Sequence, residues 1–178
     1  MTNPGKIFED AAKNSMPERC MVVRLPDPPQ SFTKRSDTSF SRKNPYDYIV
    51  VDSKTHIVYC LEMKTTKNTS MSFDDPYGKE PESKMVKRHQ ILSLKKAAEF
   101  DGIYPAFVFN FREIGEGNEQ RTYVMHIDKF MEMLDNINGK KSFNMADIIL
   151  NGGLKIDGLK KRTRYSWDFE SFFDSQSI

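Results

Sequence analysis

The alternation of apolar and polar positions is sharpest between Asn44 and Lys67, in NPYDYIVVDSKTHIVYCLEMKTTK. Positions 46–51 are rich in aromatic and β-branched residues, positions 56–64 alternate, and Asp52-Ser53-Lys54-Thr55 between them has turn composition. This predicts a β-hairpin. Successive side chains on a strand point to opposite faces, so Val58, Cys60, Glu62 and Lys64 share one face, and Ile57, Tyr59, Leu61 and Met63 the other. With Ser53-Lys54 as a two-residue loop, Asp47 falls opposite Cys60 and one diagonal step from Glu62. Diagonal neighbours lie ~7–8 Å apart or less, close enough for two carboxylates to share one cation.

The same reading carries along the chain. Asn3 before Pro4 predicts a helix to about residue 15, with Asn as N-cap, Pro at the first helical position, and Phe8 and Ala12 on one stripe beside Glu9. Positions 20–25 read as a short strand. Positions 26–43 (PDPPQSFTKRSDTSFSRK) have no apolar period and read as a flexible, stalk-like excursion, long enough to hint at function. After Lys64 the chain is dense in hydroxyls and turn formers. Positions 82–101 predict a helix that turns Ile91, Leu94 and Ala98 inward, carries His89 and Gln90 in its first half, and ends at Gly102. The apolar run 103–111 predicts a buried central strand, 121–127 a returning strand, 128–136 a helix, and 143–150 and 168–173 short helices. The sum is an α/β fold, a mixed central β-sheet flanked by helices, in a single domain over 1–178.

Composition narrows the class. Of 178 residues, 38% are hydrophobic and 29% charged, which fits a soluble globular chain. No apolar run approaches the ~20 residues of a membrane span, and the start, MTNPGKIFEDAAK, has no signal-peptide core. Cys20 and Cys60 fall in strand-like runs and read as core residues, in keeping with the reducing cytoplasm. No Cys/His spacing suggests zinc. The net charge of +2 hides an uneven distribution. Lys34, Arg35, Arg42 and Lys43 punctuate the excursion, and Lys160, Lys161, Arg162 and Arg164 crowd a stretch beside Tyr165 and Trp167. Such clusters point to a polyanion, although lysines such as Lys95 and Lys96 read as solvated helix surface.

Glu-x-Lys by itself usually marks a solvated ion pair on an exposed strand. Here positions 57–63 hold one charge, Glu62, in an apolar run. Burying a carboxylate costs several kcal/mol unless a partner or a metal compensates. A divalent ion between Asp47 and Glu62, with Lys64 beside it, removes that cost and makes a reactive centre.

Asp47, then Glu62-Met63-Lys64, after a helix carrying Glu9 and before one carrying Gln90, resembles the PD-(D/E)xK nuclease superfamily, whose sheet is of the restriction-endonuclease kind. More narrowly, the chain resembles the RecU-type Holliday junction resolvases. The likeness rests on Gly5-Lys6-Ile7-Phe8-Glu9, Tyr46-Asp47-Tyr48, Glu62-Met63-Lys64-Thr65-Thr66-Lys67-Asn68, His89-Gln90-Ile91, Asp101-Gly102-Ile103 and Lys141-Ser142, in that order. The excursion at 26–43 takes the place of the family's projecting stalk but is shorter, and the segment 70–84 is longer. The resemblance implies a metal-dependent, structure-selective DNA endonuclease acting in recombination and repair. In it Asp47, Glu62 and the Met63 carbonyl would hold Mg²⁺, with Mn²⁺ able to substitute. Lys64 would serve the nucleophilic water or the phosphate, Glu9 a metal-bound water or a second metal, and Gln90 would orient the acids or the nucleophile. DNA contacts would come from Lys34, Arg35, Arg42, Lys43, Thr65, Thr66, Lys67, Lys160, Lys161, Arg162 and Arg164. Paired incisions in a four-way junction imply a homodimer. Two other readings stay open: the same nuclease core acting on ordinary duplex or flapped DNA, and a non-catalytic DNA-binding protein.

Overall fold

The computed structural model describes residues 3–26, 44–78, 84–116, 119–137, 139–162 and 164–176. The elements in chain order are α1 (Pro4–Lys13), β1 (Cys20–Arg24), β2 (Tyr48–Asp52), β3 (Val58–Thr66), β4 (Ser70–Ser72), α2 (Arg88–Ala97), β5 (Ile103–Ile114), β6 (Glu119–His126), α3 (Ile127–Asn136), β7 (Ser142–Asn144), α4 (Met145–Leu150), β8 (Leu154–Ile156), β9 (Gly158–Lys160), β10 (Tyr165–Trp167) and α5 (Phe169–Ser175). Six strands form one sheet in the order β1-β2-β3-β5-β6-β8. Its pairs are antiparallel except β3 with β5, which run parallel from Val58↔Ile103 to Thr66↔Phe111. A parallel pair needs a crossover, and the chain through α2 supplies it. The expected mixed sheet flanked by helices is therefore what the chain forms.

The two-residue period of the central strands sorts the core into two layers. Cys60, Phe107, Phe109, Phe111 and Met125 face α2, α3 and α4, meeting Ile91, Leu94, Phe130, Met133 and Ile148. Tyr59, Leu61, Met63, Val108 and Val124 face the other way, onto Phe8 and Ala12 of α1 and onto Trp167, Phe169 and Phe173. Both faces of β3 and β5 are covered, which is why β5 reads as a continuous apolar run. The α1 start is as the sequence predicts: the Asn3 side chain accepts from the Gly5 N–H at 2.9 Å, with Pro4 in the first turn.

Three expectations need correction. The hairpin loop is longer than two residues, and β2 pairs with β3 through Tyr48↔Leu61 and Val51↔Val58. Asp47 therefore does not lie opposite Cys60; continuing that register brings it level with Glu62. The cause is Asp52, which is buried and accepts from the Lys54 N–H at 3.0 Å, the Thr55 hydroxyl at 3.1 Å and Arg19 Nε at 2.9 Å. The turn is thereby built around a carboxylate anchored from outside the hairpin, and His56 takes a left-handed φ of 57°. The second correction concerns the helix expected over 82–101, which occupies Arg88–Ala97. Buried Asp74 accepts from the Lys84 and Arg88 N–H groups, both at 3.0 Å, and holds the approach to α2 extended. The third is that 142–144 pairs with β4 before α4 begins, while part of the stretch between α4 and α5 forms three short strands.

The excursion with Lys34, Arg35, Arg42 and Lys43 lies, except for Pro26, outside the described residues. Cys20 and Cys60 are free thiols. No helix among the described residues is long and apolar enough to cross a membrane.

Candidate active site

Residue 62 is where β3 turns from apolar to charged. Glu62 has a 2%-exposed side chain, yet its carboxylate has two donors. Lys64 Nζ, two residues on and on the same face, lies 2.6 Å from Oε1, and Gln90 Nε2 of α2 donates to that same oxygen. The start of α2 orients Gln90: its Oε1 accepts from the Lys87 N–H at 3.0 Å, so one amide joins the helix cap to the strand carboxylate. Asp47, just before β2, continues the ladder with its side chain. Its Oδ2 accepts from the Met63 N–H at 2.8 Å, and its N–H donates to the Leu61 carbonyl at 3.0 Å. Asp47, Glu62 with Lys64, and Gln90 thus come from three separate stretches of sequence to the charged part of β3.

Burial pushes the Glu62 carboxyl up to about 7; Lys64 opposes this, while the negative charges of Asp47 and Glu9 add to it. Glu9 stands further off. Its carboxylate bonds Arg24 at 3.2 Å, which ties α1 to β1. Among the described residues no three His, Cys, Asp or Glu side chains are grouped so as to enclose a metal ion. An ion here could take oxygens from two carboxylates with the Met63 main chain between them. That set suits Mg²⁺, a hard cation that usually takes one or two carboxylates and keeps several waters.

The residues that follow β3's charged end divide. Thr65 Oγ1 donates to Asn110 Oδ1 at 2.7 Å and accepts from Arg112 Nε at 3.0 Å. Thr66 is buried, and its hydroxyl accepts from the Asn68 N–H at 3.0 Å, so it serves the turn and does not face a surface ligand. Lys67 is exposed. Lys160, Lys161, Arg162 and Arg164 lie on and beyond β9, on the α1 side of the molecule, around a hollow that also receives Arg112. Arg112 and Asn110 are residues that pattern reading passed over. The available signal was two polar residues, two apart, on one face of an otherwise apolar strand.

Fold and site together define an α/β chain with an acid–acid–lysine group at the end of its central parallel pair. No family model matches it. The SPbeta prophage-derived uncharacterized protein YotM of Bacillus subtilis strain 168 is 28% identical over 176 residues, covering 93% of this chain and 82% of its own. Among solved structures, the Holliday junction resolvase Hjc of the archaeal hyperthermophile Archaeoglobus fulgidus is similar with a TM-score of 0.47 at 10% identity, over 84% of this chain and 93% of Hjc.

Proposed function

We propose that this chain is a metal-dependent DNA endonuclease that cuts branched DNA, of the Holliday junction-resolving kind. The observation that carries the reading is the convergence of Lys64 and Gln90 on one oxygen of buried Glu62, with the Asp47 carboxylate held by the next residue's N–H. Asp47 and Glu62, with the Met63 carbonyl, would hold Mg²⁺. The ion would polarise the scissile phosphate and acidify a water bound to it.

The chain's own residues set up the hydrolysis. Gln90 and Lys64 fix the Glu62 rotamer, so the carboxylate is oriented before substrate arrives. Lys64, with its side chain 15% exposed, stays near enough to the surface to offset charge growing on the phosphate oxygens. Water oxygen adds to phosphorus, the P–O3′ bond breaks, and the 3′ oxygen takes up a proton. This leaves a 5′-phosphate and a 3′-hydroxyl. Two matched incisions call for two copies related by symmetry, a homodimer.

The test is cleavage of a synthetic four-way junction beside a linear duplex of the same sequence, with Mg²⁺ or EDTA. The wild type cuts the junction in Mg²⁺ alone, while Asp47→Ala and Lys64→Ala lose cutting and still bind the junction in Ca²⁺. Either variant cutting at the wild-type rate would falsify the assignment. Binding without cutting, and without Mg²⁺ or Mn²⁺ uptake, would make the chain a DNA-binding protein instead.

A further inference from the structure

A hollow of about 330 Å³ lies on the α1 side of the sheet, away from Gln90 and α2. Its walls are chemically unlike. Ile7, Phe8 and Ala11 of α1 line it with apolar surface, while Lys160, Lys161, Arg162 and Arg164 bring four positive charges to it and Arg112 a fifth. Some other cations in the fold have carboxylate partners, as Lys155 bonds Asp157 at 2.7 Å and Arg19 bonds Asp52 at 2.9 Å. Lys160, Lys161, Arg162 and Arg164 make no ion pair among the described residues. The hairpin nevertheless holds them together, pairing Lys160 with Tyr165 and closing with the Lys161 N–H on the Arg164 carbonyl at 2.8 Å. Like charges gathered without counter-charge favour an anion between them.

An aromatic platform completes the hollow. Tyr165 lines it and stacks on Trp167, centroids 5.1 Å apart and planes 13° apart. Trp167 is fixed in turn, edge-on to Phe8 at 6.1 Å, while its main-chain N–H donates to Ser15 Oγ at 3.0 Å. Gly158 makes room for it, since a Cβ there would lie 2.3 Å from the indole. The hollow also connects to β3. Arg112 bonds Thr65, the residue after Lys64.

Positive charge, an immobile aromatic ring and an apolar wall are the combination by which proteins hold single-stranded nucleic acid. The volume is at the low end of the ~300–1,000 Å³ of small-ligand pockets, room for one nucleotide and not for a base pair with both its backbones. We propose that this hollow is a subsite for one unpaired nucleotide of a branched DNA substrate. Its phosphates lie against the β9–β10 cations and Arg112, and its base lies against Tyr165 and Ile7. The inference rests on the nuclease reading only in assigning that strand to the substrate of the Glu62 centre.

Equilibrium binding in EDTA tests it, with three labelled probes: a linear duplex, the same duplex carrying a single-stranded flap, and an oligo-dT strand. Tyr165→Ala and the double variant Arg162→Ala/Arg164→Ala should each weaken flap and oligo-dT binding about tenfold, within the ~1–3 kcal/mol of a base–aromatic stack, and leave the linear duplex within about twofold. The double variant should also flatten the salt dependence by ~0.7 per cation on the single strand. Ile7→Glu, at a half-exposed position where folding is not at stake, should do the same as Tyr165→Ala. Unchanged flap binding in all three variants overturns the subsite. So do equal losses on flap and linear duplex, which would make the hollow part of a duplex surface. A parallel Mg²⁺ cleavage assay on the flap separates the two proposals. Subsite-dependent binding without cutting sinks the nuclease reading alone, and cutting with no variant effect on binding sinks the subsite alone.

Discussion

Replacing Glu62 by Gln keeps the shape of a buried side chain and removes its titration. In the metal-free fold the Glu62 carboxyl holds its proton up to about pH 7, against 4.5 for the free group. The groups facing it are Lys64 and Gln90 as donors and Asp47 and Glu9 as negative charges. Between those two pH values the folded chain binds more protons than the unfolded one, so this group's contribution to stability falls as pH rises from about 4.5 to about 7 and is flat beyond. At about 1.4 kcal/mol per pH unit, the loss across that window is about 3 kcal/mol at most. The assay is urea unfolding in EDTA from pH 4.5 to 8 for wild type and Glu62→Gln. The wild type should lose up to about 3 kcal/mol relative to the variant over the window, and curves that run parallel from end to end would refute the reasoning. Adding Mg²⁺ should reverse the trend for the wild type alone. Metal binds the ionised carboxylate, and its stabilisation by mass action grows as the proton leaves.

Other perturbations act through different contacts. Gln90→Leu removes both the Lys87 cap and a Glu62 donor, and should slow single-turnover cleavage in Mg²⁺ by about tenfold or more while leaving junction binding in Ca²⁺ intact. Gly158→Ala drives a methyl into Trp167, so urea unfolding should report a loss of about 1–3 kcal/mol. Arg19→Ala strips buried Asp52 of its guanidinium, and should lower the melting temperature at pH 7 by roughly 4 °C or more. Arg19 and its neighbours hold the Asp52 carboxyl below its ordinary value despite burial, so that stabilisation is present at neutral pH and fades as pH drops through the carboxylate range; wild type and Arg19→Ala should converge in acid.

How much of this could be read from the sequence depended on how local the cause was. The faces of β3 were legible because the strand period needs no partner: Cys60 and Leu61 go to opposite core layers as the alternation requires. The α1 start was legible because Asn3 and Pro4 are adjacent. The hairpin register was not, because Asp52 reaches across 33 positions to Arg19, and that pairing lengthens the loop. The start of α2 was hidden for the same reason, its capping carboxylate being Asp74, fourteen positions upstream. Glu62, Lys64, Asp47 and Gln90 were named from residue order and resemblance. Their gathering around the Glu62 carboxylate depends on the parallel β3–β5 pair and the crossover between its strands, which no local pattern encodes. Arg112 was missed because its tie to Thr65 exists only across that pair. The strands β8 to β10, three residues each, are too short for any period to register.

The placement of charge around β3 follows from what the proposed chemistry demands of it. A carboxylate pair attracts a divalent ion only while it stays net negative, and every cation set close by competes with that ion. Among the described residues Glu62 has one bonded cation, Lys64, with Gln90 supplying the second donor without charge. A polyanionic substrate needs the opposite, several positive charges along its path. The fold meets both demands by placing them on different faces of the sheet. Lys160, Lys161, Arg162 and Arg164 gather against α1, whereas Glu62 and Lys64 share a face with α2. Among the described residues Arg112 is the member of that basic group bonded to β3, through Thr65, beside Lys64. It is therefore the residue through which an occupied hollow would bear on the reacting end of the strand.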